Sequence, residues 1–297
     1  MSVEHPLPDI SRHLAEIVAR CASSAVAVSG RGRRTCSGFV WRPGVIVTAS
    51  DALERDEDIG VLTSEGQRLP ASLAGRDPTT DVAVLKVAEA QSPLLAARAD
   101  EMSVGELALV IGRNREGATA SLNMLASVGG PWESLRGGRI DRNIRLDRAV
   151  HPAQEGGIVV NASGNFIGMA VPGPRRAGLV IPLATIERVA EQILTRGRVA
   201  RGYLGLGLQP VRLDEPHASS GGLIVVSVDP DGPGRRAGVL VGDVITAWNR
   251  EPVRSVRDVF SRLGSDVVGR RVDLAIVRAG QNASASVEIS ERPIPGA

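Results

Sequence analysis

One short stretch of the sequence combines groups that could do acid–base chemistry with an unusually free backbone. Residues 151–161 read His-Pro-Ala-Gln-Glu-Gly-Gly-Ile-Val-Val-Asn, so an imidazole, His151, and a carboxylate, Glu155, precede a pair of glycines. Paired glycines adopt backbone shapes that a Cβ forbids and let another chain approach closely. The apolar run 158–160 that follows is typical of a buried strand. The stretch predicts a tight loop that enters a buried strand, with Glu155 either at a functional site or on a surface turn.

The composition is that of a globular protein with room for about two domains. Of 297 residues, 43% are hydrophobic and only 2% aromatic, so the cores must be built from aliphatic side chains. The net charge is +2 and acidic and basic residues are interleaved, which argues against nucleic acid or membrane as a partner. Cys21 and Cys36 lack metal-ligand spacing; two buried thiols or one disulfide bridge would fit, and free thiols are expected. Residues 1–9 lack the pattern of a secretory signal, and no apolar run could span a bilayer, so a cytoplasmic location is expected.

Short apolar runs separated by turns dominate the first 182 residues. An amphipathic helix is expected over 10–22, followed by two sets of short β-type runs that indicate two all-β halves in tandem. A second helix is expected over 183–195, with Gly197 as its stop. The predicted division is an N-terminal helical arm (1–24), a double β-barrel domain (25–182), a linker helix (183–200) and a smaller domain of strands and two helices (201–293).

Five segments in this order resemble the HtrA/Deg family of trypsin-like serine proteases. They are residues 36–40, 45–48, 77–87, 154–161 and 202–206. In the family these segments are a Gly-Ser-Gly strand, the strand that delivers the catalytic histidine, the aspartate motif, the nucleophile loop and the carboxylate-binding loop of a PDZ domain. The resemblance covers nearly the whole chain. It implies a mostly β fold, with two six-stranded antiparallel barrels of the trypsin type followed by a PDZ domain.

The sequence departs from the family at two of the three catalytic positions. The family strand ends Thr-Asn-Asn-His, whereas this one ends Thr-Ala-Ser-Asp and puts Asp51 at the position of the base. Glu155 takes the place of the nucleophilic serine, and only the orienting acid, Asp81, remains. A hydroxyl nucleophile needs a base with a pKa close to 7, and the ordinary pKa of an aspartate lies about three units lower. The resemblance therefore implies a protease homologue with no intact catalytic set.

Rewired proteolysis is the first alternative to inactivity. Of the four histidines, only His151, on the loop of Glu155, could reach the family's catalytic positions and act as the base. Ser50 or Ser163 would then be the nucleophile.

A metal site is the second alternative. If the fold is kept, Asp51, Asp81 and Glu155 converge between the barrels, and three neighbouring carboxylates need either a bound proton or a cation. A hard divalent cation could bind there with His151 as a further ligand. The simpler expectation is that Glu155 points into solvent, Asp51 caps a local turn and no cofactor is bound.

Residues 203–206, Tyr-Leu-Gly-Leu, resemble the PDZ loop that captures a terminal carboxylate. In that mode a peptide adds as a strand to an open sheet edge, and backbone N–H groups bind its carboxylate. Gly205 allows close approach, and Leu204 and Leu206 suit an apolar terminal side chain, unless these leucines only complete the core. The expected peptide-binding residues are Tyr203, Leu204, Gly205 and Leu206. The expected partners are peptides or protein C-termini ending in an apolar residue, and the resemblance also allows a homo-oligomer.

Overall fold

Two compact units make up the chain, the first ending at Val199 and the second beginning at Ala200. The structure is a computed structural model that describes residues 7–29, 35–88, 92–94, 97–99, 101–174, 177–212, 221–264 and 267–293. Each unit has its own aliphatic core. Strands dominate both units, which confirms the mostly β fold.

The first barrel follows an amphipathic helix, α1 (Leu7–Ala22), which buries Ile17 and Cys21. Its six strands are β1 (Ala25–Ser29), β2 (Thr35–Arg42), β3 (Val45–Ala49), β4 (Ile59–Leu62), β5 (Arg68–Asp77) and β6 (Val82–Val87). They close in the order β1-β2-β3-β6-β5-β4. The apolar pattern does not predict β5, because its side chains alternate only weakly between buried and exposed.

The second barrel carries an extra hairpin. The strands of this region are β7 (Leu107–Arg113), β8 (Ala118–Gly129), β9 (Trp132–Glu133), β10 (Arg139–Ile140), β11 (Asn143–Leu146), β12 (Ile158–Asn161), β13 (Phe166–Pro172) and β14 (Gly178–Pro182). The barrel closes as β11-β14-β13-β12-β7-β8, while β9 and β10 pair with each other. Two six-stranded barrels are therefore confirmed, with the β9–β10 hairpin as an addition to the second.

Helix α2 (Leu183–Arg196) packs against the core of the first unit. Its buried side chains include Ile186, Val189 and Ile193. The helix ends as predicted at Gly197, which is left-handed (φ +72°) and donates its N–H to the Ile193 carbonyl oxygen at 2.8 Å.

A twisted sheet and two short helices form the second unit. Its elements are β15 (Gly202–Tyr203), β16 (Leu206–Val211), β17 (Gly222–Val228), α3 (Pro233–Arg236), β18 (Val244–Trp248), β19 (Glu251–Pro252), α4 (Val256–Arg262), β20 (Arg271–Arg278), β21 (Gln281–Glu288) and β22 (Ser290–Glu291). The sheet order is β16-β17-β18-β20-β21. Within the described residues, β16 pairs on one side only, with β17. A capping box between Ser255 and Asp258 starts α4.

Both cysteines, Cys21 and Cys36, are buried free thiols, as predicted. Burial raises the pKa of Cys36 to about 11, which disfavours the reactive thiolate at neutral pH. Across the described ranges, no helix is both long and apolar enough to cross a membrane.

Candidate functional site

The loop that carries Glu155 is tied to strands of both barrels. The backbone N–H of Ser37, on β2, donates to the carbonyl oxygen of Glu155 at 2.8 Å, and its hydroxyl donates to that of Ala153 at 2.6 Å. The N–H of Gly156 donates to the carbonyl oxygen of Ala170, on β13, at 2.8 Å. Because Ser37 is fully buried, water does not compete for its bonds. The loop backbone is therefore held in one shape.

Gln154 anchors the same loop from the second barrel. Its side chain is buried, accepts a hydrogen bond from the hydroxyl of Ser121 at 3.0 Å and donates to the carbonyl oxygen of Val110 at 3.2 Å. No local sequence motif marks this anchor, because both partners lie more than 30 residues earlier in the chain.

Gly156 lies where a side chain has no room. Its φ is +82°, and a Cβ there would stand 2.2 Å from the carbonyl oxygen of Ser37 and 2.8 Å from the hydroxyl of Thr48. The glycine pair is thus required by the fold of the loop, as the sequence predicts.

We expect Gly156→Ala to destabilise the protein far more than Gly66→Ala. Gly66 has the same φ, +82°, but no atom of the described residues lies within 4 Å of the position of its Cβ, so its substitution carries backbone strain alone, about 1–2 kcal/mol. Gly156→Ala adds a backbone clash and should lower the free energy of unfolding by roughly 2 kcal/mol more. Urea unfolding of the two variants measures the difference, and equal losses would contradict the close approach to Ser37.

Asp51 and Asp81 meet at the end of β3. The N–H of Asp51 donates to Oδ1 of Asp81 at 2.8 Å, and the N–H of Ser50 donates to the carbonyl oxygen of Asp81 at 3.3 Å. Asp81 has a left-handed backbone (φ +58°), a conformation that aspartate and asparagine tolerate better than most residues. The carboxylate of Asp81 therefore orients the segment where Asp51 stands.

Arg136, in the turn of the β9–β10 hairpin, forms an ion pair with Asp51. One guanidinium nitrogen of Arg136 donates to Oδ1 of Asp51 at 2.7 Å and to the carbonyl oxygen of Pro78 at 3.0 Å. Beside it, the hydroxyl of Ser134 donates to the carbonyl oxygen of Thr79 at 2.6 Å. These contacts fix the hairpin tip over the segment that presents Asp51. Sequence gives no sign of the Arg136 contact, because its partners are 85 and 58 residues away.

Asp81 is the group whose acidity the site changes most. Burial raises its pKa to about 7, and the negative charges of Asp51 and Glu155 add to the rise, against the Asp51 N–H and the Arg136 charge that lower it. The structure thus brings the three predicted carboxylates into one neighbourhood. Asp51 pairs with the guanidinium of Arg136, and the pKa of Asp81 is raised toward neutral pH.

We expect Asp81→Asn to raise the free energy of unfolding, relative to wild type, more at pH 8 than at pH 4. The folded-state pKa of Asp81 lies above the ordinary value, so the wild type loses stability as pH rises from about 4 to about 7, where the folded state must release a proton it holds tightly. An asparagine keeps the acceptor for Asp51 and suits the left-handed backbone, and it does not ionise. The difference in unfolding free energy, variant minus wild type, should grow by roughly 1–2 kcal/mol between the two pH values. A difference that stays flat with pH in parallel urea titrations would contradict the raised pKa.

In the second unit, the turn over residues 203–206 leads into β16, which among the described strands pairs only with β17. Gly205 is left-handed, with φ +71°. Among the bonds of the described residues, none uses the N–H of Leu204 or of Gly205. Leu204 is only 3% exposed and belongs to the core, while Leu206 is partly buried against that core. Leu204 thus serves the core with its side chain, while its N–H is used by no hydrogen bond of the described residues.

Comparison with known proteins assigns both units. Residues 36–169 match the trypsin-like peptidase domain family, and residues 202–289 match the PDZ domain family. A probable periplasmic serine endoprotease, DegP-like, of Rhizobium meliloti is 29% identical over 89% of this chain and 54% of its own, and the protein so described in Brucella suis is 31% identical over 86% and 52%. The solved serine endoprotease from Yersinia pestis is 27% identical, with a TM-score of 0.73 over 94% of this chain and 98% of its own. The HtrA-type protease AlgW with a decapeptide is 25% identical, with a TM-score of 0.74 over 95% and 99%.

The chain belongs to the HtrA/Deg family. It carries the trypsin-like domain and one PDZ domain of that family. It spans about half the length of the curated relatives named above.

The expectation of a cytoplasmic location is wrong. The HtrA/Deg relatives from Rhizobium, Brucella and Chlamydia are described as periplasmic, which points to the periplasm rather than the cytoplasm. The expectation rested on the composition of residues 1–9. Folded domains do not encode their compartment, so the patterns that identify the fold say nothing about it.

In this HtrA/Deg chain, N–H groups of the Glu155 loop donate hydrogen bonds to acceptors within the same loop. The trypsin-type mechanism holds the oxyanion with the N–H of the nucleophile and the N–H two residues earlier, here Glu155 and Ala153. The N–H of Ala153 donates to Nδ1 of His151 at 3.2 Å, and that of Glu155 donates to the carbonyl oxygen of Pro152 at 3.4 Å. His151 therefore caps the short 3-10 turn Pro152–Gln154, and its Nδ1 faces its own loop.

The candidate nucleophiles and metal ligands are placed as follows. Ser50 is only 2% exposed, beside Asp81. Ser163 lies on the exposed turn after β12, where its N–H donates to Oδ1 of Asn161 at 3.0 Å. Nowhere in the described part of the chain do three His, Cys, Asp or Glu residues gather closely enough to hold a metal ion. The cation beside Asp51 is the guanidinium of Arg136.

Proposed function

We propose that this chain is a periplasmic HtrA/Deg protein that does not cleave peptides by the serine mechanism and that binds protein C-termini through its PDZ domain. The observation that carries the first half is the ion pair between Asp51 and Arg136 at 2.7 Å. A general base must offer a lone pair to the nucleophile's proton. At the base position this chain has a carboxylate whose oxygen is bound by a guanidinium.

The nucleophile position supports the same conclusion. A carboxylate at Glu155 brings negative charge to the place where an attacked carbonyl would develop an oxyanion. The donors that would stabilise that charge, the N–H groups of Ala153 and Glu155, are engaged within the loop. At the family's catalytic positions, the residue in place of the base is paired with a cation, the serine is replaced by Glu155, and the oxyanion donors are engaged.

Peptide binding is supported by the second unit. The turn at Gly205 has a left-handed backbone, and within the described residues the N–H groups of Leu204 and Gly205 have no acceptor and β16 has an open edge to which a strand can add. The related protease AlgW has been solved with a decapeptide and with a tripeptide. The preference for an apolar last residue follows from the partly buried Leu206 beside the turn.

The rival function is serine endopeptidase activity, which the descriptions of the relatives favour. A serine-directed fluorophosphonate and a C-terminal peptide, tried on the same preparation, separate the two. Our proposal requires that the peptide binds and that the probe does not attach.

A further inference from the structure

Asp229 lies directly behind the carboxylate-binding turn and bonds to it twice. Its Oδ2 accepts a hydrogen bond from the phenol of Tyr203 at 2.8 Å. Its backbone N–H donates to the carbonyl oxygen of Gly205 at 2.8 Å. One residue therefore holds the first and third residues of the turn, on either side of the Leu204 donor.

The segment around Asp229 is itself stiff. The N–H of Asp231 donates to Oδ1 of Asp229 at 3.1 Å, and the N–H of Gly232 donates to its carbonyl oxygen at 3.0 Å. The N–H of Gly234 then donates to the carbonyl oxygen of Leu204 at 2.7 Å. The two turns also touch, since a Cβ on Gly205 would stand 2.8 Å from the Cα of Gly232. Asp229 is where this stiff segment is joined to the peptide-binding turn by a side chain.

We propose that Asp229 is a positioning residue for peptide capture, which holds Tyr203 and Gly205 so that the N–H groups of Leu204 and Gly205 converge on a terminal carboxylate. This inference rests on the proposed peptide binding and names a residue that no family motif in the sequence identifies. A turn with two donors binds an anion well only if both donors already point at it, because ordering them on binding would cost affinity. Asp229 supplies that order without touching the ligand.

The charges around Asp229 support this role. The Tyr203 phenol, the Asp231 N–H and the Arg236 charge together hold the pKa of Asp229 below its ordinary value. An ionised carboxylate can only accept hydrogen bonds, so the phenol must donate and its orientation is fixed. The same contact raises the pKa of Tyr203, with burial adding to the rise and Arg292 opposing it.

An asparagine at position 229 separates geometry from charge. Asp229 uses one oxygen for Tyr203 and the other for the N–H of Asp231. An asparagine can keep its oxygen on Asp231 and turn its amide NH2 toward the phenol oxygen, which then accepts. The hydrogen bond between position 229 and Tyr203 is kept, with its direction reversed. A donor favours the ionised phenol, so the pKa of Tyr203 should fall below its ordinary value.

The test uses the full chain and exploits the fact that Tyr203 is its only tyrosine. Wild type, Asp229→Ala and Asp229→Asn are titrated with a free-acid peptide ending in valine, and the ionisation of Tyr203 is followed by ultraviolet difference absorbance. Asp273→Ala, which removes an exposed carboxylate on β20 of the same unit, is the matched control. We expect Kd to rise about tenfold in Asp229→Ala and to stay within about threefold in Asp229→Asn and Asp273→Ala. The Tyr203 pKa should fall in both Asp229 variants, further in the asparagine.

The outcomes separate this inference from the proposed function. If wild type binds and Asp229→Ala binds equally well, Asp229 is not a positioning residue, although the proposed function stands. If Asp229→Ala loses affinity while the Tyr203 titration is unchanged, the phenol contact is not the link and the inference is also wrong. Should Asp229→Ala fail to fold, Tyr203→Phe removes only the hydroxyl, and an unchanged Kd there overturns the proposal. If wild type binds no free-acid peptide, the proposed function itself fails.

Discussion

The purified chain should neither cleave unfolded casein nor attach a fluorophosphonate. Both reactions need an activated serine, and the base and nucleophile positions hold Asp51 and Glu155, the first of them paired with Arg136. Removing the serine or the histidine from an intact triad lowers kcat by about a million-fold. Turnover should therefore fall below detection while an intact HtrA/Deg protease, assayed alongside, is fully labelled.

Two sets of variants make this test specific. Ser50→Ala and Ser163→Ala remove the hydroxyls that rewired catalysis would use, so labelling of wild type that vanishes in either variant would refute inactivity. Asp51→His combined with Glu155→Ser restores base and nucleophile beside Asp81, which already accepts the N–H of residue 51. This double variant should label, but slowly, because the N–H groups at 153 and 155 are engaged within the loop.

Much of the fold could be predicted because its signals are local. The stop of α2 at Gly197, the capping box at Ser255 and the glycine pair after Glu155 each follow from the backbone demands of a few neighbouring residues. Strand β5 was not predictable from its pattern, since it presents side chains of intermediate burial on both faces. Its place in the barrel is set by pairing with β4 and β6, the strands that precede and follow it in the chain.

The candidate site was predictable only in its outline. Motif order gives the positions of Asp51, Asp81 and Glu155, and the structure brings the three into one neighbourhood. The partners of these residues could not be predicted. The hairpin that carries Arg136 is an addition to a barrel whose six strands close without it. Nor does the sequence reveal that the Nδ1 of His151 is used by its own loop, since that depends on the turn geometry.

The largest effect at the second site should come from a change in the ligand. A peptide that ends in Val, Leu or Ile should bind the full chain with a Kd on the order of micromolar, because ordering a short flexible peptide offsets much of its main-chain bonding. Amidation of its C-terminus removes the charge that the N–H groups of Leu204 and Gly205 would bind and should weaken binding at least about a hundredfold. Isothermal titration with the two forms of one peptide measures this without altering the protein.

A substitution at Gly205, in the turn over residues 203–206, should also weaken peptide binding strongly. Gly205→Val places a β-branched residue at φ +71°, with its Cβ 2.8 Å from the Cα of Gly232, so it both distorts the donors and blocks the approach of the peptide backbone. Gly280→Val is the matched control, because Gly280 has a φ of +78° in the same unit, with none of the described residues within 4 Å of the position of its Cβ. The control should lose stability and keep its affinity, whereas Gly205→Val should show no binding at millimolar peptide. If free-acid and amidated peptides bind alike, the open edge of β16 binds strands without recognising their ends, and the chain is not a reader of C-termini.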